Sequence, residues 1–272
     1  MSKVWFVTGA SRGFGRAFVE AALSRGDRVA ATARDTDTLA DLTATHGDAL
    51  LPLKLDVTDG DAVYAAVATA HEDFGRLDVV VNNAGYGLFG TVEEVTEQQV
   101  RDQFETNFFG ALSVTQAVLP ILRAQGSGHI VQISSIGGIA AFPYLGAYHT
   151  SKWALEGLTE SLAQEVAHLG IKVTLVEPGA FGTDWAGASA TFATPIDTYQ
   201  PIRETMATQA ATHGSGDPRA AALALLQIVD SEQPPLRVLF GAMPTQLVKG
   251  LYARRLQTWS DWEKVSVAAD GH

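Results

Sequence analysis

In the stretch "GAYHTSKWALEGL", Tyr148 and Lys152 stand four residues apart. On a helix that spacing puts both side chains on one face, with Cβ atoms about 5–6 Å apart. A phenol has a pKa near about 10, so at neutral pH it is a usable acid and a poor base. A cation within about 4–6 Å stabilises the phenolate and draws that pKa toward the working range. A tyrosine so placed can hand a proton to an oxygen on which negative charge builds, as when a hydride reaches a carbonyl carbon. The pair by itself is ambiguous, because a helical tyrosine usually packs and a lysine usually meets water. It needs support from elsewhere in the chain.

The segment "TGASRGFGRAF" supplies some. Thr8, Gly9, Gly13 and Gly15 follow the pattern TGxxxGxG between an apolar run and a helical one. Glycines at such a bend let the backbone turn tightly and approach a pyrophosphate, whose charge meets the helix N-terminus. Ser11, Arg12 and Phe14 fill the rest of the loop and are expected to touch the same ligand. Many such sites carry an acidic residue at the end of the second strand for the ribose hydroxyls, and an arginine there accommodates a 2′-phosphate instead. That position reads "AATARD": Ala33 replaces the acid, Arg34 follows, and Arg12 is a second cation for the same phosphate. NADP(H) is therefore expected in preference to NAD(H). NAD(H) stays possible if Asp35 binds the ribose after a one-residue shift. Asp56 in "LKLDV", with Val57 beside it, ends the third apolar run, where a carboxylate can meet the adenine amino group.

These residues must be held by a regular frame. Strands are expected at 4–8, 28–33, 49–57, 77–83, 129–135, 172–178 and 237–241, with helix-period segments between them. The strand runs are apolar on both faces, as in a parallel sheet covered on both sides. The expected fold is α/β, a doubly wound, mostly parallel seven-stranded sheet with helices on both faces (Rossmann-like), forming a single domain over 1–272. After Glu177-Pro178-Gly179 the periodicity fails, and 180–216 is expected to be a loosely structured substrate-binding loop or lid, a plain connection being the alternative. Residues 244–264 read as a C-terminal helix with Leu247, Leu251, Tyr252, Leu256 and Trp259 at helical spacing. Packing on the core is the expected use of that stripe, ahead of pocket closure, subunit contact or a membrane surface.

Composition excludes other classes. Hydrophobic residues make up 46% of 272 and charged residues 18%, enough apolar material for a large core. Nineteen Lys and Arg against thirty Asp and Glu leave a net charge of −11, which opposes nucleic acid. There is no cysteine, so disulfides and thiolate-bound metals are excluded. The histidines (His46, His71, His129, His149, His168, His213 and His272) show no metal-ligand spacing, so no metal is expected. The start "MSKVWFVTGAS" enters a strand directly and no run of eighteen apolar residues occurs, so the expectation is a soluble cytoplasmic protein with no membrane partner. GxSxG is absent, which argues against a Ser-His-Asp hydrolase.

Taken together, TGxxxGxG at 8–15, "NNAG" at 82–85, Asn107 in "ETNFFG", "ISS" ending at 135, "YHTSK" at 148–152 and "EPG" at 177–179 resemble the short-chain dehydrogenase/reductase family. The resemblance covers roughly residues 3–183, with a weaker echo in "GDPRAAALALLQIV". It implies a catalytic set of Asn107, Ser135, Tyr148 and Lys152. In it Tyr148 is the proton donor, Lys152 holds the nicotinamide ribose, Ser135 bonds the substrate carbonyl and Asn107 supports a water chain to the lysine. It also implies that Asn83, Ala84 and Gly85 brace the sheet and touch the cofactor, and that Pro178, Gly179, Phe181 and Thr183 lie around the nicotinamide. Ser134 is the neighbouring hydroxyl that a register slip would put in place of Ser135, and His149 is expected at a surface or interface.

Near the expected carbonyl site lie Ile136, Phe142, Tyr144, Phe181, Trp185 and Phe192. With Ser135 and Tyr148 they suggest an apolar substrate pocket, the competing view being that the rings fill the core beneath the lid. The activity expected is an NADPH-dependent carbonyl reductase acting on a ketone or aldehyde. The alternatives are an NAD-dependent alcohol or hydroxysteroid-type dehydrogenase working oxidatively and, less favoured because all four catalytic positions are filled, a non-catalytic dinucleotide sensor. Pairing through 97–125 and 148–169 into a homodimer or homotetramer is implied by the resemblance alone.

Overall fold

Runs of valine and alanine without polar alternation must be covered on both faces, and they are in the computed structural model, which describes residues 2–212 and 214–271. His213 and His272 lie outside the described residues. The chain runs β1 (Val4–Val7), α1 (Gly13–Ser24), β2 (Arg28–Ala33), α2 (Ala40–His46), β3 (Leu50–Lys54), α3 (Gly60–Phe74), β4 (Val79–Asn82) and β5 (Leu88–Phe89). It continues through α4 (Glu97–Phe104), α5 (Gly110–Gln125), β6 (Gly128–Ile133), α6 (Gly146–Val166), β7 (Ile171–Pro178) and β8 (Thr191–Phe192). Then come α7 (Gln200–Thr212), α8 (Pro218–Asp230), β9 (Arg237–Phe240), α9 (Ala242–Asp261) and α10 (Glu263–Ala268).

Seven strands form one sheet in the order β3-β2-β1-β4-β6-β7-β9, all pairs parallel. Alternate residues face opposite sides: Trp5 and Val7 join a core with Phe18, Val29 and Leu225, while Val4 and Phe6 join a second with Val67, Val114, Leu122 and Leu162. The strand order reverses between β1 and β4, and ligands of such sheets bind outside the carboxyl ends of the strands at that point. The strands are shorter than the apolar runs suggest: β3 stops at Lys54, so Asp56 lies beyond it.

The segment read as one long helix over 97–125 contains a π-turn at Glu105–Phe109 between α4 and α5. Residues 180–216 are more ordered than their weak periodicity suggested. They contain β8, which pairs in parallel with β5 apart from the main sheet, and α7.

The expectation that the C-terminal stripe packs on the core is corrected. Leu256 and Trp259 are 61% and 66% exposed, and Trp262 is 62% exposed. The helix meets the body along Pro244 to Arg255: Pro244 is buried against Gly179, Leu247 and Leu251 are half-buried, and Arg255 donates to the Ile139 carbonyl at 3.0 Å. Past Arg255 the helix runs beyond the layer that covers the sheet. No helix among the described residues is long and apolar enough to cross a membrane.

Candidate active site

The loop after β1 folds back over its own backbone. Gly9 has φ +66°, and a Cβ there would come 2.9 Å from Ala84 Cα; Gly13 has φ +56°. At Gly15 a Cβ would fall 2.2 Å from the Gly9 carbonyl oxygen. Asn83 locks this arrangement: its Nδ2 donates to the carbonyls of Thr8 at 2.9 Å and Gly9 at 3.1 Å. The Thr8 hydroxyl accepts from the amides of Asn83 and Ala84, both at 3.0 Å. No side chain caps the first amides of α1 and its first turn carries no acid. Free N–H groups, a positive helix end and glycines where side chains cannot stand are what a dinucleotide pyrophosphate requires, so the residues present fit that group.

Arg34 stands exposed just past β2, with no side-chain hydrogen bond or ion pair among the described residues. Its neighbour Asp35 caps the next turn, accepting from the Asp37 amide at 3.0 Å. The Arg12 guanidinium pairs with Asp184 at 2.6 Å across the loop after β7. Asp56 accepts from the amide and hydroxyl of Thr58 at 3.0 and 2.8 Å, and Val57 is buried against Gly110.

The four polar residues singled out in the sequence come together at the ends of β4 and β6. The π-turn aims Asn107 inward: its Oδ1 accepts from the Tyr86 amide at 3.0 Å, and Nδ2 donates to the Tyr86 carbonyl at 3.0 Å and to Ser151 Oγ at 3.2 Å. A Cβ on Gly85 would sit 3.0 Å from Asn107 Oδ1 and 3.7 Å from Lys152 Nζ, so glycine keeps lysine and asparagine within reach of each other. Lys152 Nζ donates to the Ile133 carbonyl at 2.8 Å and lies 6.0 Å from the centre of the Tyr148 ring. Ser135 Oγ accepts from the Gly137 amide at 2.9 Å, and its hydroxyl is near enough to Tyr148 to favour the phenolate. Ser134 points elsewhere, donating to Glu156 Oε1 at 2.5 Å in the interior.

Burial governs the electrostatics. It pushes the Tyr148 phenol up to about 12, with the Ser135 hydrogen bond pulling the other way. It also brings Lys152 down to about 8. The lowered tyrosine pKa expected from the lysine neighbour is thus not what the protein's own groups produce, because desolvation of the phenolate outweighs the Ser135 hydrogen bond that favours it.

Of the apolar residues, Trp185 stands over Tyr148 with ring centres 4.9 Å apart. Phe89 joins Trp185 at 5.2 Å, Phe192 at 5.1 Å and Tyr144 at 6.1 Å. Tyr144 has φ +71°, the only non-glycine residue in that region among those described. A bulky residue held there carries strain of about 1–3 kcal/mol. Ile136 is buried in the turn after Ser135. Two expected pocket residues lie apart: Phe142 packs edge-on to His149 at 5.5 Å, and Phe181 packs on Phe14 at 4.9 Å beside the first core. Of the remaining cofactor candidates, the methyl side of Thr183 faces Gly13, and Gly179 has no room for a Cβ beneath Pro244. Pro178 ends β7.

Phe89, the hub of the aromatic cluster, was missed in the sequence, because a two-residue strand has no periodicity. Its neighbour Gly87, where a Cβ would strike Trp185 at 2.7 Å, was the available signal. Glu94 was missed as well: it accepts from the amides of Thr91 and Ile196, each at 2.8 Å, and pairs with Arg203 of α7. These donors, the Ile196 amide first, hold its carboxyl down at about 2 and tie the 180–216 segment to the body. His149 is not at the surface. It is 4% exposed, accepts from the Phe142 amide at 3.4 Å, and burial lowers it to about 4. Among the described residues no three carboxylate or histidine groups cluster as a metal would need.

Comparison with known proteins places this geometry. A family model described as short chain dehydrogenase matches residues 3–192. Oxidoreductase BOA17 of Botryotinia fuckeliana (strain B05.10) is 44% identical over 276 residues, covering 99% of this chain and 100% of that one. A solved short-chain dehydrogenase from Streptomyces avermitilis superposes with TM-score 0.93 at 43% identity, covering 98% of each chain. Two further solved structures are each 27% identical. A short chain dehydrogenase from Burkholderia cenocepacia J2315 in complex with NADP has TM-score 0.76 and covers 96% of this chain and 97% of that one. A short chain dehydrogenase/reductase from Burkholderia phymatum in complex with NAD has TM-score 0.80 and covers 91% and 92%.

Proposed function

We propose, starting from the fact that this chain belongs to the short-chain dehydrogenase family, that it is an NADP(H)-preferring carbonyl reductase converting an apolar ketone or aldehyde to its alcohol. The observation that carries the reading is the buried Tyr148 hydroxyl beside half-buried Ser135, with Lys152 behind it and Trp185 above it.

When bound, the nicotinamide cofactor supplies a hydride to the carbonyl carbon, or takes one up in reverse. Thr8, Gly9, Ser11, Gly13, Gly15, Asn83 and Ala84 would hold its pyrophosphate side, and Arg34 a 2′-phosphate. Ser135 and Tyr148 aim hydroxyls at the carbonyl oxygen and stabilise the charge that builds there more than they stabilise the ground state. Tyr148 then gives up its proton, and Lys152 with Asn107 steadies the phenolate left behind. A phenol raised to about 12 carries its proton at neutral pH, the form in which Tyr148 acts as the acid. Trp185, Phe89, Phe192 and Tyr144 offer an apolar wall that suits a neutral ring-bearing substrate, with 180–216 as the loop that brings Trp185 over it. Pairing through the outer faces of α4–α5 and α6 belongs to the same reading.

The NAD complex of the Burkholderia phymatum relative favours one second reading, an NAD-dependent dehydrogenase working oxidatively. Fluorescence titration with NADPH and NADH, on the parent and on Arg34→Ala, separates the two. Preference for NADPH that disappears in the variant supports the reductase, and equal or better binding of NADH sinks the phosphate assignment. Full turnover of a ketone by Tyr148→Phe would remove the catalytic one.

A further inference from the structure

Behind the catalytic residues lies a polar cluster that the proposed chemistry leaves unused. Glu156 follows Lys152 by one helical turn on α6, and Glu177 stands on β7; they are 4% and 2% exposed. Glu156 divides its carboxylate between two donors, Ser134 Oγ at 2.5 Å on Oε1 and Arg237 Nε at 3.0 Å on Oε2. Glu177 Oε1 lies 3.6 Å from the same Arg237 Nε and has no hydrogen-bond partner. Arg237 Nη2 is taken by Glu160 at 2.8 Å. Three carboxyls thus share one guanidinium, and two of the three are in the interior.

Such a set does not ionise fully without large cost. A buried carboxylate that accepts no hydrogen bond is the expensive member, and keeping a proton on it is the cheaper state. Glu177, whose Oε1 is buried without a partner, comes nearest to that description. Burial, with the charge of Glu156 adding to it, raises Glu177 to about 7. Glu156 is the better solvated of the two by donors and carries the negative charge.

The cluster is wired to the reacting residues by short links. The Ser134 hydroxyl that binds Glu156 sits on the residue before Ser135. The carbonyl that accepts from Lys152 belongs to Ile133, one residue earlier. Glycine is required at 138 because a Cβ there would come 2.6 Å from Ser134 Oγ and 2.9 Å from Glu156 Cγ, so the turn carrying Ser135 rests directly on the Glu156 side chain. The charged and titratable groups around the pair are Lys152 and Glu160 on α6, Arg237 on β9, His149 against the far side of the turn, and Arg255 of α9 on the Ile139 carbonyl.

We propose that Glu156 and Glu177 are positioning residues for the carbonyl chemistry: they hold a single proton between them, and releasing it to solvent adds a negative charge behind Lys152 that strengthens the lysine's hold on its own proton. The proposal rests on the activity assigned above. It makes the charge of Lys152 depend on a pair that touches neither substrate nor cofactor. Glu156 also keeps Ser135 in place through Ser134.

Two readouts test it. Infrared difference spectra of the protein alone, between about pH 6 and pH 8, are expected to show a protonated-carboxyl stretch that disappears on raising the pH. Glu177→Gln, which fixes the neutral state without changing shape, is expected to lack that band. The same variant is expected to lose an inflection of kcat near neutrality while KM stays within about twofold. Glu156→Gln retains an acceptor for Ser134 and is expected to keep kcat about tenfold above that of Glu156→Ala. A parent without the titrating band, or a Glu177→Gln protein that retains it, overturns the proposal. Equal kcat in the two Glu156 variants removes the positioning role. A band that titrates as stated in a protein that turns over no ketone or aldehyde leaves the proton pair standing and removes the assigned activity instead.

Discussion

Replacing Gly15 by alanine puts the cradle to a quantitative test. The added Cβ would lie 2.2 Å from the Gly9 carbonyl oxygen and 2.5 Å from Asn83 Nδ2. Neither neighbour is a loose side-chain end: one is backbone, and the other is fixed by bonds to Thr8 and Gly9 at 2.9 and 3.1 Å. Relief comes either by rotating Asn83 out, which forfeits both bonds at about 0.5–1.5 kcal/mol each, or by moving α1 away, with overpacking strain of about 1–3 kcal/mol. Either route puts about 1–3 kcal/mol against the loop conformation that fits a pyrophosphate, and each 1.4 kcal/mol is about tenfold in affinity. NADPH affinity, read by nicotinamide fluorescence, is therefore expected to fall by about five- to 140-fold. A thermal melt run alongside separates a local change from general unfolding. If Gly15→Ala binds NADPH within about threefold of the parent and melts at the same temperature, the cradle does not hold the dinucleotide and the reasoning fails.

The adjacent serines are expected to respond in opposite ways. Ser134→Ala strips a buried hydrogen bond from the Glu156 carboxylate, costs about 1.5–3 kcal/mol of stability and lowers Tm, while Ser135→Ala leaves Tm nearly unchanged and lowers kcat. Exchange of those two effects in melts and turnover assays would reverse the assignment. Trp185→Ala is expected to raise KM for a ring-bearing ketone more than for a small aliphatic one, since it removes the wall over Tyr148; equal changes would take Trp185 out of the pocket. Burial holds His129 and His149 at about 4, against about 6.5 in an unfolded chain, so the unfolded state binds more protons between those values and stability falls as pH drops through that window. At about pH 5 the loss is about 2 kcal/mol per histidine. Glu177, held near 7, works in the opposite sense and makes the slope shallower. Urea unfolding at pH 7 and pH 5 is expected to show a smaller pH effect in His149→Gln than in the parent, and an unchanged difference would mean that His149 is not buried neutral.

The main sheet was readable in the sequence because strands buried on both faces are written in valine and alanine wherever they occur. Val79–Asn82 and Arg237–Phe240 fall inside the runs read as strands. The glycine loop was readable too, since a Cβ at position 15 would meet the Gly9 carbonyl oxygen at 2.2 Å and glycine alone avoids it. Features set by contacts distant in sequence were not. The π-turn that aims Asn107 carries no local mark, because the same residues suit an α-helix. His149 looked like a surface residue because its burial depends on Phe142 and Gly137, which arrive from the preceding turn. The apolar stripe of α9 has the spacing of a packed helix, and periodicity does not say whether any layer lies beneath it. The proton balance at Tyr148 depends on how dry the site is, and spacing alone had pointed to a lower pKa.

The all-parallel order of the main sheet has a consequence for how the molecule comes into being. No two neighbouring strands of that sheet can be joined by a tight hairpin, so every ladder waits for a crossover to close, and such non-local pairings form slowly. β1 must receive β2 on one side and β4 on the other, and β9, the last strand made, completes the edge from which Arg237 reaches Glu156. During synthesis the segment carrying Ser135, Tyr148 and Lys152 is therefore finished long before the guanidinium that neutralises the charge behind it. A nascent chain stopped short of β9 would hold Ser135, Tyr148 and Lys152 in front of two carboxyls that lack their guanidinium.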